Sequence, residues 1–367
     1  MLLGSDGLKM SVALTVYVFL GLVLLPAQCI GSASEGVKLC IEVIVPSLLP
    51  FFICSKIFLK TGFAEGISKP FGVLMRPLFN VPACGAFAFL IGILSGCPVG
   101  AKTVTDMYER SACTKAEAER MLCFCNNSGP LFIMGAVATG MLGFEKAGIL
   151  LYASHIISAV IVGVSVSFYK RKEILNKRVK AVSNIPSNLL GDSVSEAVSL
   201  TGYVCGFVIF FAVVVEIIKQ SGAVMLVAQW FENKTLVRGL LYGVCEMTNG
   251  ISVLSSIGVD VSQLCAISFV LGFGGISVVL QVYGIVKKYN FSFSLFVCAK
   301  LLQGIVSAIL TAAIAGLVKF DLPVFAVKAD YGVLNSLAFS INIFAVFGII
   351  LLMLSILYVG CKILRKV

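Results

Sequence analysis

The sequence has few charged residues, and this scarcity excludes a water-soluble globular protein. Asp, Glu, Lys and Arg together make up 13% of the 367 residues, whereas soluble domains carry about 25%. Hydrophobic residues make up 59% of the chain, and the mean hydropathy is +1.03. Many apolar stretches reach the roughly 17–25 residues that an α-helix needs to cross a bilayer. The composition therefore predicts an all-α polytopic membrane protein.

The sequence contains a single histidine, His155, and this argues against a metal centre. Zinc sites combine cysteine and histidine at close spacing, and the cysteine pair Cys123 and Cys125 has no histidine near it in the sequence. Most of the thirteen cysteines stand singly in apolar runs, where cysteine behaves as a small hydrophobic residue. The sequence also shows no nucleophile and base pattern and no phosphate-binding loop. We therefore predict neither an enzyme nor a cofactor.

Acidic residues are the rarer charge, with 18 Asp and Glu against 28 Lys and Arg, which gives a net charge of +10. The basic residues lie at the ends of apolar segments and form no continuous patch. This distribution argues against a nucleic acid and favours the lipid bilayer as the partner. Six Lys or Arg fall within 169–180, and short basic loops stay in the cytoplasm. We therefore place this loop on the cytoplasmic side.

Two of the apolar segments, 85–105 and 236–257, are interpreted as re-entrant helical hairpins. If every segment crossed the membrane, the basic residues at the C-terminus would lie outside, opposite the basic loop at 169–180. Two hairpins that return to the side they entered put these basic residues on the cytoplasmic side. Irregular backbone at membrane depth survives only beside protein or a water-filled cavity, so the hairpin turns predict a cavity. The first segment is interpreted as a retained transmembrane helix, with a signal peptide as the alternative. The predicted segments are 10–30, 37–60, 85–105, 121–143, 147–169, 197–218, 236–257, 261–285, 292–318 and 335–361.

The two halves of the chain share an order of short motifs, which predicts an internal repeat. SEGV at Ser34 matches SEAV at Ser195, and GILSGCPVG at Gly92 matches GVCEMTNG at Gly243. By the charge distribution the first unit starts outside and the second inside, and such inverted-topology repeats are typical of secondary transporters. A chance match between two apolar stretches is the alternative. The predicted units are a transmembrane helix over 1–33, a first repeat over 34–169, a basic linker over 170–194, a second inverted repeat over 195–318, and a C-terminal loop and helix over 319–367.

Candidate solute-binding residues share a position at a predicted helix break, or carry an ionisable group inside an apolar segment, where such groups are costly and usually functional. They are Ser95, Gly96, Pro98, Gly100, Lys102, Asn126, Asn127, Ser128, Gly129, Pro130, His155, Glu246, Asn249, Gly274, Gly275 and Lys300.

Each of the charged candidates also has a purely structural interpretation. His155 and Lys300 occupy matching positions in the two units and are expected to face a shared central space, but His155 could instead bond a backbone carbonyl. Glu246 either binds a proton, a cation or a solute, or caps a helix. Lys102 either meets an anionic group or a carboxylate, or extends to the cytoplasmic surface. For the break at 126–130, the alternative is that its glycine allows close helix packing.

Three motifs lie within residues 78–143: GILSGCPVGAK, TKAEAER and NNSGPLF. In this stretch the chain resembles the YlbJ-type sporulation integral membrane proteins of endospore-forming Firmicutes, within the broader nucleoside-recognition (Gate) superfamily. It departs from the expected pattern at Cys97, Cys125 and Asn127. The resemblance implies a membrane protein of the mother cell that is needed for heat-resistant spores at the stage of cortex formation. It also implies hairpin-containing repeats similar to those of concentrative nucleoside transporters, but it does not imply that nucleosides are carried.

These features together predict a permease or gate for a small polar solute, working by alternating access and driven by protons through His155 or Glu246. The expected location is the cell membrane, in the mother-cell or outer forespore membrane. The alternative is a non-transporting membrane scaffold that recruits spore-cortex assembly partners through the loop at 169–187.

Overall fold

The computed structural model describes residues 5–61, 63, 66, 72–173, 187–256 and 258–318, and all structural statements below concern these residues. The C-terminal loop and helix predicted at 319–367, and most of the basic linker, lie outside them. Every regular element in the described ranges is a helix, which confirms the all-α class. The α-helices are α1 Ser5–Leu24, α2 Pro26–Leu39, α3 Val45–Thr61, α4 Gly85–Ser95, α5 Val99–Glu109, α6 Lys115–Cys125, α7 Glu145–Val166, α8 Leu189–Gln220, α9 Ala223–Ala228, α10 Lys234–Cys245, α11 Met247–Ser255, α12 Val261–Phe273, α13 Gly275–Val286 and α14 Phe293–Val318. Wider π-helical stretches occupy Cys40–Ile44, Met75–Phe79 and Leu131–Met141, and a 3₁₀ turn occupies Lys287–Tyr289.

Four helical segments in the described part are long and apolar enough to cross a membrane. A fifth span is formed if the bent pair Thr15–Leu24 and Pro26–Glu42, which meet at 108°, is counted as one. These helices confirm a multi-pass membrane protein. The four segments are Glu145–Val166, Leu189–Gln220, Val261–Tyr289 and Phe293–Leu317.

The first helix ends earlier than the segment predicted at 10–30. The chain bends at Leu25, and α2 begins with Pro26 at its first position. Proline has no backbone N–H and a fixed φ, so it is favoured at the start of a helix and disrupts a helix interior. From Pro26 the helix continues through the π-helical stretch to Thr61. The first helix therefore ends at Leu24, and the boundary of the first unit at residue 33 stays a prediction.

Both segments predicted as hairpins are helical hairpins. In the first, formed by α4 and α5, the Sγ of Cys84 lies 3.7 Å from the carbonyl oxygen of Ala112, so the two ends of the segment meet. In the second, formed by α10 and α11, a Cβ added to Gly250 would lie 2.1 Å from the Cα of Gly243. The arms of the second hairpin therefore touch through their backbones, which only glycine allows.

Each hairpin is followed by a broken helix. The first broken helix joins α6 to the π-helical stretch Leu131–Met141 across residues 126–130, and the second joins α12 to α13 at Gly274. Gly274 and Gly275 have φ of +86° and +78°, a region that favours glycine. The order of hairpin, broken helix and long helix therefore occurs twice in the described chain. The opposite orientation of the two units stays a prediction.

The packing divides the described helices into two groups. The helices α1, α2, α3 and α8 pack mainly against one another, and we call them the panel. The hairpins, the broken helices, α7 and α14 form the second group, which we call the core bundle. Here α14 packs along α12 and α7. The two groups contact each other much less than their members contact one another, although panel residues such as Phe52 and Ala197 share the main hydrophobic cluster with the core bundle.

Candidate functional site

A cavity of about 110 Å³ lies between the panel and the core bundle, where both hairpin turns and both broken helices meet. Pockets for drug-sized ligands measure about 300–1,000 Å³, so the cavity in this state has room for a few waters or a small solute. From the panel it is lined by Leu39, Ile44, Leu48, Phe51, Val204 and Val208. From the core bundle it is lined by Leu94, Ser95, Gly96, Cys97, Ser128, Gly129, Leu131, Phe132, Glu246, Met247, Thr248, Ser277, Val278 and Gln281.

Glu246 brings a carboxylate to the cavity at the turn of the second hairpin, and its side chain is 5% exposed. Its oxygens accept hydrogen bonds from the backbone N–H of Thr248 at 3.0 Å and of Asn249 at 2.8 Å. The side-chain amide of Asn249 donates to the same carboxylate at 3.0 Å. These donors form the N-terminus of α11, where the helix dipole stabilises negative charge. Glu246 therefore caps a helix and lines the cavity at once.

Two further polar groups offer hydrogen-bonding capacity to the cavity. The hydroxyl of Ser95, at the first hairpin turn, is buried and has no hydrogen-bond partner among the described residues. Gln281 donates only a long 3.4 Å hydrogen bond to Ser277 on the same helix. Buried hydroxyls without a partner are rare in folded proteins. A water or a polar solute in the cavity would satisfy them.

The break at 126–128 is held by a chain of hydrogen bonds from α14. The ammonium of Lys300 donates to the carbonyl oxygen of Asn126 at 2.9 Å and to Oε1 of Gln303 at 2.6 Å. The amide of Gln303 donates to Oδ1 of Asn127 at 2.8 Å, and the amide of Asn127 donates to the carbonyl oxygen of Phe124 at 2.8 Å. All of these groups are buried. The network thus satisfies carbonyls that the end of α6 leaves open.

His155 binds the same break from α7, the long helix of the same unit. The backbone N–H of Ser128 donates to Nε2 of His155 at 3.0 Å, so Nε2 carries no proton and the ring proton is on Nδ1. Within the described chain this Nδ1 has no hydrogen-bond partner. The hydroxyl of Tyr152, one turn earlier, donates to the carbonyl oxygen of Ile93 on the first hairpin at 3.0 Å. His155 and Lys300 therefore meet at one helix break and lie behind the cavity lining.

Glycines at the first hairpin allow an unusually close approach to α6. A Cβ on Gly92 would lie 1.8 Å from the carbonyl oxygen of Cys125, and one on Gly100 would lie 1.7 Å from the same atom. Gly96 in the turn has a φ of +86°, which favours glycine. Gly100, which the sequence predicts as a solute-binding residue, lies in this contact between backbones.

The predicted residues thus fall into two sets. Those that line the cavity are Ser95, Gly96, Ser128, Gly129 and Glu246. Those that do not line it are Pro98, Gly100, Lys102, Asn126, Asn127, Pro130, His155, Asn249, Gly274, Gly275 and Lys300. The binding role of each stays a prediction.

Lys102 belongs to a second, charged cavity of about 190 Å³ at the far end of the first hairpin. Its ammonium lies 2.7 Å from Oδ1 of Asp106. At the edge of this cavity Glu109 accepts hydrogen bonds from Lys288, at 2.8 Å, and from Tyr289. These hydrogen bonds hold the pKa of the Glu109 carboxyl below its usual value. Lys102 therefore pairs with a carboxylate and does not reach the central cavity.

Sequence reasoning missed three groups of residues, two at the site and one away from it. Gln303 lies three residues after Lys300 on the same helix, a spacing that brings side chains together, so this spacing was the available signal. The panel residues gave no signal, because apolar side chains in an apolar segment look alike in a sequence. A buried chain of hydroxyls, with Ser268 bonded to Ser307 at 2.7 Å and to Thr311 at 2.8 Å, was also missed.

The fold and the site together define a multi-pass helical membrane protein in which hairpin turns and broken helices enclose a partly polar cavity. No family profile matches the chain. The chain is 34% identical, over 317 residues that cover 77% of each protein, to the sporulation integral membrane protein YlbJ of Bacillus subtilis (strain 168). It therefore belongs to the YlbJ family of sporulation integral membrane proteins, which confirms the family expected from the motifs.

Two solved structures resemble the chain at low sequence identity. CNTnw in an inward-facing substrate-bound state is 13% identical, with a TM-score of 0.43 over 88% of this chain and 89% of that chain. A variant of CNTnw in an outward-facing state is 14% identical, with a TM-score of 0.44 over 86% of this chain and 88% of that chain.

Proposed function

We propose that the protein acts in endospore formation as a membrane gate or permease for a small polar solute. The observation that carries this proposal is the cavity at which both hairpin turns and both broken helices converge. It contains the buried carboxylate of Glu246 and the unpartnered hydroxyl of Ser95. Broken helices that meet at a polar site are the arrangement by which transporters bind solutes at membrane depth.

The two sides of the cavity differ in chemistry. This difference supports transport of a bound solute across the membrane. Among the described residues, the panel contributes only apolar side chains to the cavity, whereas the hydroxyls, the amide and the carboxylate all belong to the core bundle. A polar solute would therefore form hydrogen bonds with these groups of the core bundle. The apolar wall of the panel makes no directional bonds, so the core bundle could slide along the panel while the solute keeps its hydrogen bonds to the core bundle. Such sliding would open the cavity to one membrane face and then to the other, which is alternating access.

The role in sporulation rests on family membership. The Bacillus subtilis relative is named a sporulation integral membrane protein, and we propose the same process for this chain. We place it in the mother-cell or outer forespore membrane and its action at spore cortex formation. A solute supplied or removed across that membrane would account for a requirement in spore heat resistance.

The test replaces cavity residues in an endospore-forming host that lacks its own copy. Glu246→Gln and Ser95→Ala are expected to abolish spore heat resistance while the protein accumulates normally in the membrane. The matched control is Glu145→Gln, which removes an exposed carboxylate at the start of α7 and is expected to leave heat resistance unchanged. Heat-resistant spore counts and membrane immunoblots give the result.

The opposite pattern would support a scaffold. If both cavity variants make normal spores, and scrambling residues 169–187 at constant net charge abolishes heat resistance, the cavity is not the functional site and the permease proposal is wrong.

A further inference from the structure

Lys300 is a buried ammonium whose hydrogen-bond partners are neutral. Its side chain is 1% exposed and lies in the first third of α14, and both partners in the described chain are uncharged oxygens, the carbonyl of Asn126 and the amide of Gln303. None of the ion pairs among the described residues includes Lys300. A buried cation without a carboxylate is costly, so its surroundings must favour positive charge in another way.

The end of helix α6 supplies that favourable field. Asn126 is the C-terminal cap of α6, and the last carbonyls of a helix carry the negative end of its dipole. The carbonyl oxygen of Asn126 points at the ammonium at 2.9 Å. Because the helix is interrupted here, this carbonyl has no helical N–H to accept from. The positive charge of Lys300 therefore sits at the negative end of a broken helix.

The position of the second oxygen is fixed by its neighbours. Gln303 donates its N–H to Asn127, and Asn127 donates its own N–H to the carbonyl of Phe124. Each amide has therefore only one orientation that satisfies the network, and it aims Oε1 of Gln303 at Lys300. Among the described residues, the titratable side chains that interact electrostatically with Lys300 are those of Cys97, Cys123 and His155, and none of these three is a carboxylate.

Carbonyl and amide oxygens converging on a positive charge are the ligands that a monovalent cation takes inside a membrane protein. Ion channels replace the hydration shell of potassium with carbonyl oxygens in this way, and transporters with broken helices hold coupling ions at unwound carbonyls. The side-chain amide of Asn126 is also fully buried, with neither its oxygen nor its nitrogen bonded in the described structure.

We propose that the ammonium of Lys300 is a covalently tethered monovalent cation that fills a cation position at the end of α6. The charge that stabilises the broken helix is thus supplied by the chain itself, and no free sodium or potassium ion is required there. This proposal about the helix break does not require that the protein transports a solute. If the protein is the permease proposed above, the consequence is that solute movement does not depend on sodium or potassium gradients.

The first experiment measures thermal unfolding of the purified full-length protein in detergent with a cysteine-reactive dye. Buried cysteines such as Cys123 and Cys125 report unfolding. The unfolding temperature of the unmodified protein is expected to be the same in sodium, potassium and choline chloride. Lys300→Ala removes the ammonium and leaves space, so it should unfold at a lower temperature in choline chloride. Sodium, potassium or methylammonium chloride should restore part of that loss.

Two variants serve as controls. Lys300→Arg keeps a cation at the break and is expected to show no dependence on the salt. Lys172→Ala removes one exposed lysine outside the helices and should unfold like the unmodified protein in every salt. Stabilisation of the unmodified protein by sodium or potassium would overturn the proposal, even if Lys300→Ala fails to fold. A Lys300→Ala protein that no small cation stabilises would overturn it as well.

This readout does not depend on transport. If salt rescue of Lys300→Ala is observed while the cavity variants make normal spores, the tethered cation stands and the permease does not.

Discussion

The ammonium of Lys56 lies 2.6 Å from Oδ2 of Asp106, and this contact joins the panel to the core bundle. Lys56 is on α3 and Asp106 is on α5, the second arm of the first hairpin. Lys56 also lies 2.9 Å from Glu196 on α8, which in turn binds Lys60 at 2.9 Å. Lys56 and Asp106 are 7% and 8% exposed. Any sliding of the first hairpin along the panel must break this pair.

The first prediction is that removing one charge of this pair weakens the contact between panel and core bundle. Breaking a buried ion pair costs about 3–5 kcal/mol, but Asp106 keeps its bond to Lys102. We therefore expect Lys56→Gln to destabilise the protein by about 1–3 kcal/mol, measured as a lower unfolding temperature in detergent.

The matched control is an exposed pair on the same panel. Lys38 and Glu42 lie 4.0 Å apart with side chains that are 71% and 60% exposed. Exposed pairs contribute about 0–1 kcal/mol, so Lys38→Gln is expected to have no measurable effect. If both lysine variants lower the unfolding temperature equally, the Lys56 and Asp106 contact does not hold the two groups together.

The second prediction concerns the close packing of the first hairpin on α6. A Cβ on Gly100 would lie 1.7 Å from the carbonyl oxygen of Cys125, and backbone cannot move aside as a side-chain end can. Gly100→Ala should therefore prevent accumulation of folded protein, measured by size-exclusion chromatography after detergent extraction. Gly206→Ala, in α8 with nothing within 4 Å of the added Cβ, should be neutral or stabilising by up to about 1 kcal/mol. A well-folded Gly100→Ala protein would contradict this close approach of the hairpin to α6.

The sequence was sufficient to predict the elements whose cause is local. Gly96 and Pro98 disfavour a continuous helix in any surroundings. The basic residues on both sides of the segment 236–257 indicate that this segment returns to the membrane face from which it enters. Residues 126–130 signal a break through their own glycine and proline. Helix-breaking residues and the positions of basic residues along the chain can be read without knowing what packs nearby, so both hairpins and the first broken helix were predicted.

Relationships between distant segments could not be predicted in the same way. Nothing near Asp106 in the sequence indicates that Lys56 will be its partner, because the pairing depends on how α3 docks against α5. Likewise the sequence leaves open whether Lys102 meets a solute or a carboxylate, and only the docked helices show that it pairs with Asp106 in the charged cavity. The order of segments suggests a repeat, but the division into panel and core bundle depends on contacts between segments far apart in the chain.

The third prediction separates solute-binding hydroxyls from structural ones. The hydroxyl of Ser95 has no hydrogen-bond partner in the described residues, so Ser95→Ala loses no internal bond and should leave the unfolding temperature unchanged. Ser268 is bonded to Ser307 and Thr311, and Ser268→Ala leaves buried partners unsatisfied at a cost of about 1–3 kcal/mol. Ser95→Ala should therefore impair spore heat resistance at an unchanged unfolding temperature, whereas Ser268→Ala should lower the unfolding temperature. If Ser95→Ala lowers the unfolding temperature and leaves heat resistance normal, Ser95 is not a solute-binding residue.

The last prediction is that the first hairpin enters and leaves on one membrane face. Each of its arms has 11 residues, which at about 1.5 Å per residue is roughly 16 Å, half of the ~30 Å hydrocarbon thickness. The contact between Cys84 and Ala112 brings both ends together. Cysteines introduced at the exposed positions Ala83 and Ser111 should react with a membrane-impermeant maleimide from the same side, measured as labelling above the unmodified protein.

Helix α7 provides the matched control for that labelling, because its 22 residues span about 33 Å. Cysteines at the exposed positions Lys146, at the start of α7, and Arg171, shortly after its end, should therefore react from opposite sides. If Ala83→Cys and Ser111→Cys also react from opposite sides, the segment crosses the bilayer. The first hairpin would then not be re-entrant. The two units could not be inverted copies of each other, because that arrangement requires two re-entrant hairpins that enter the membrane from opposite faces.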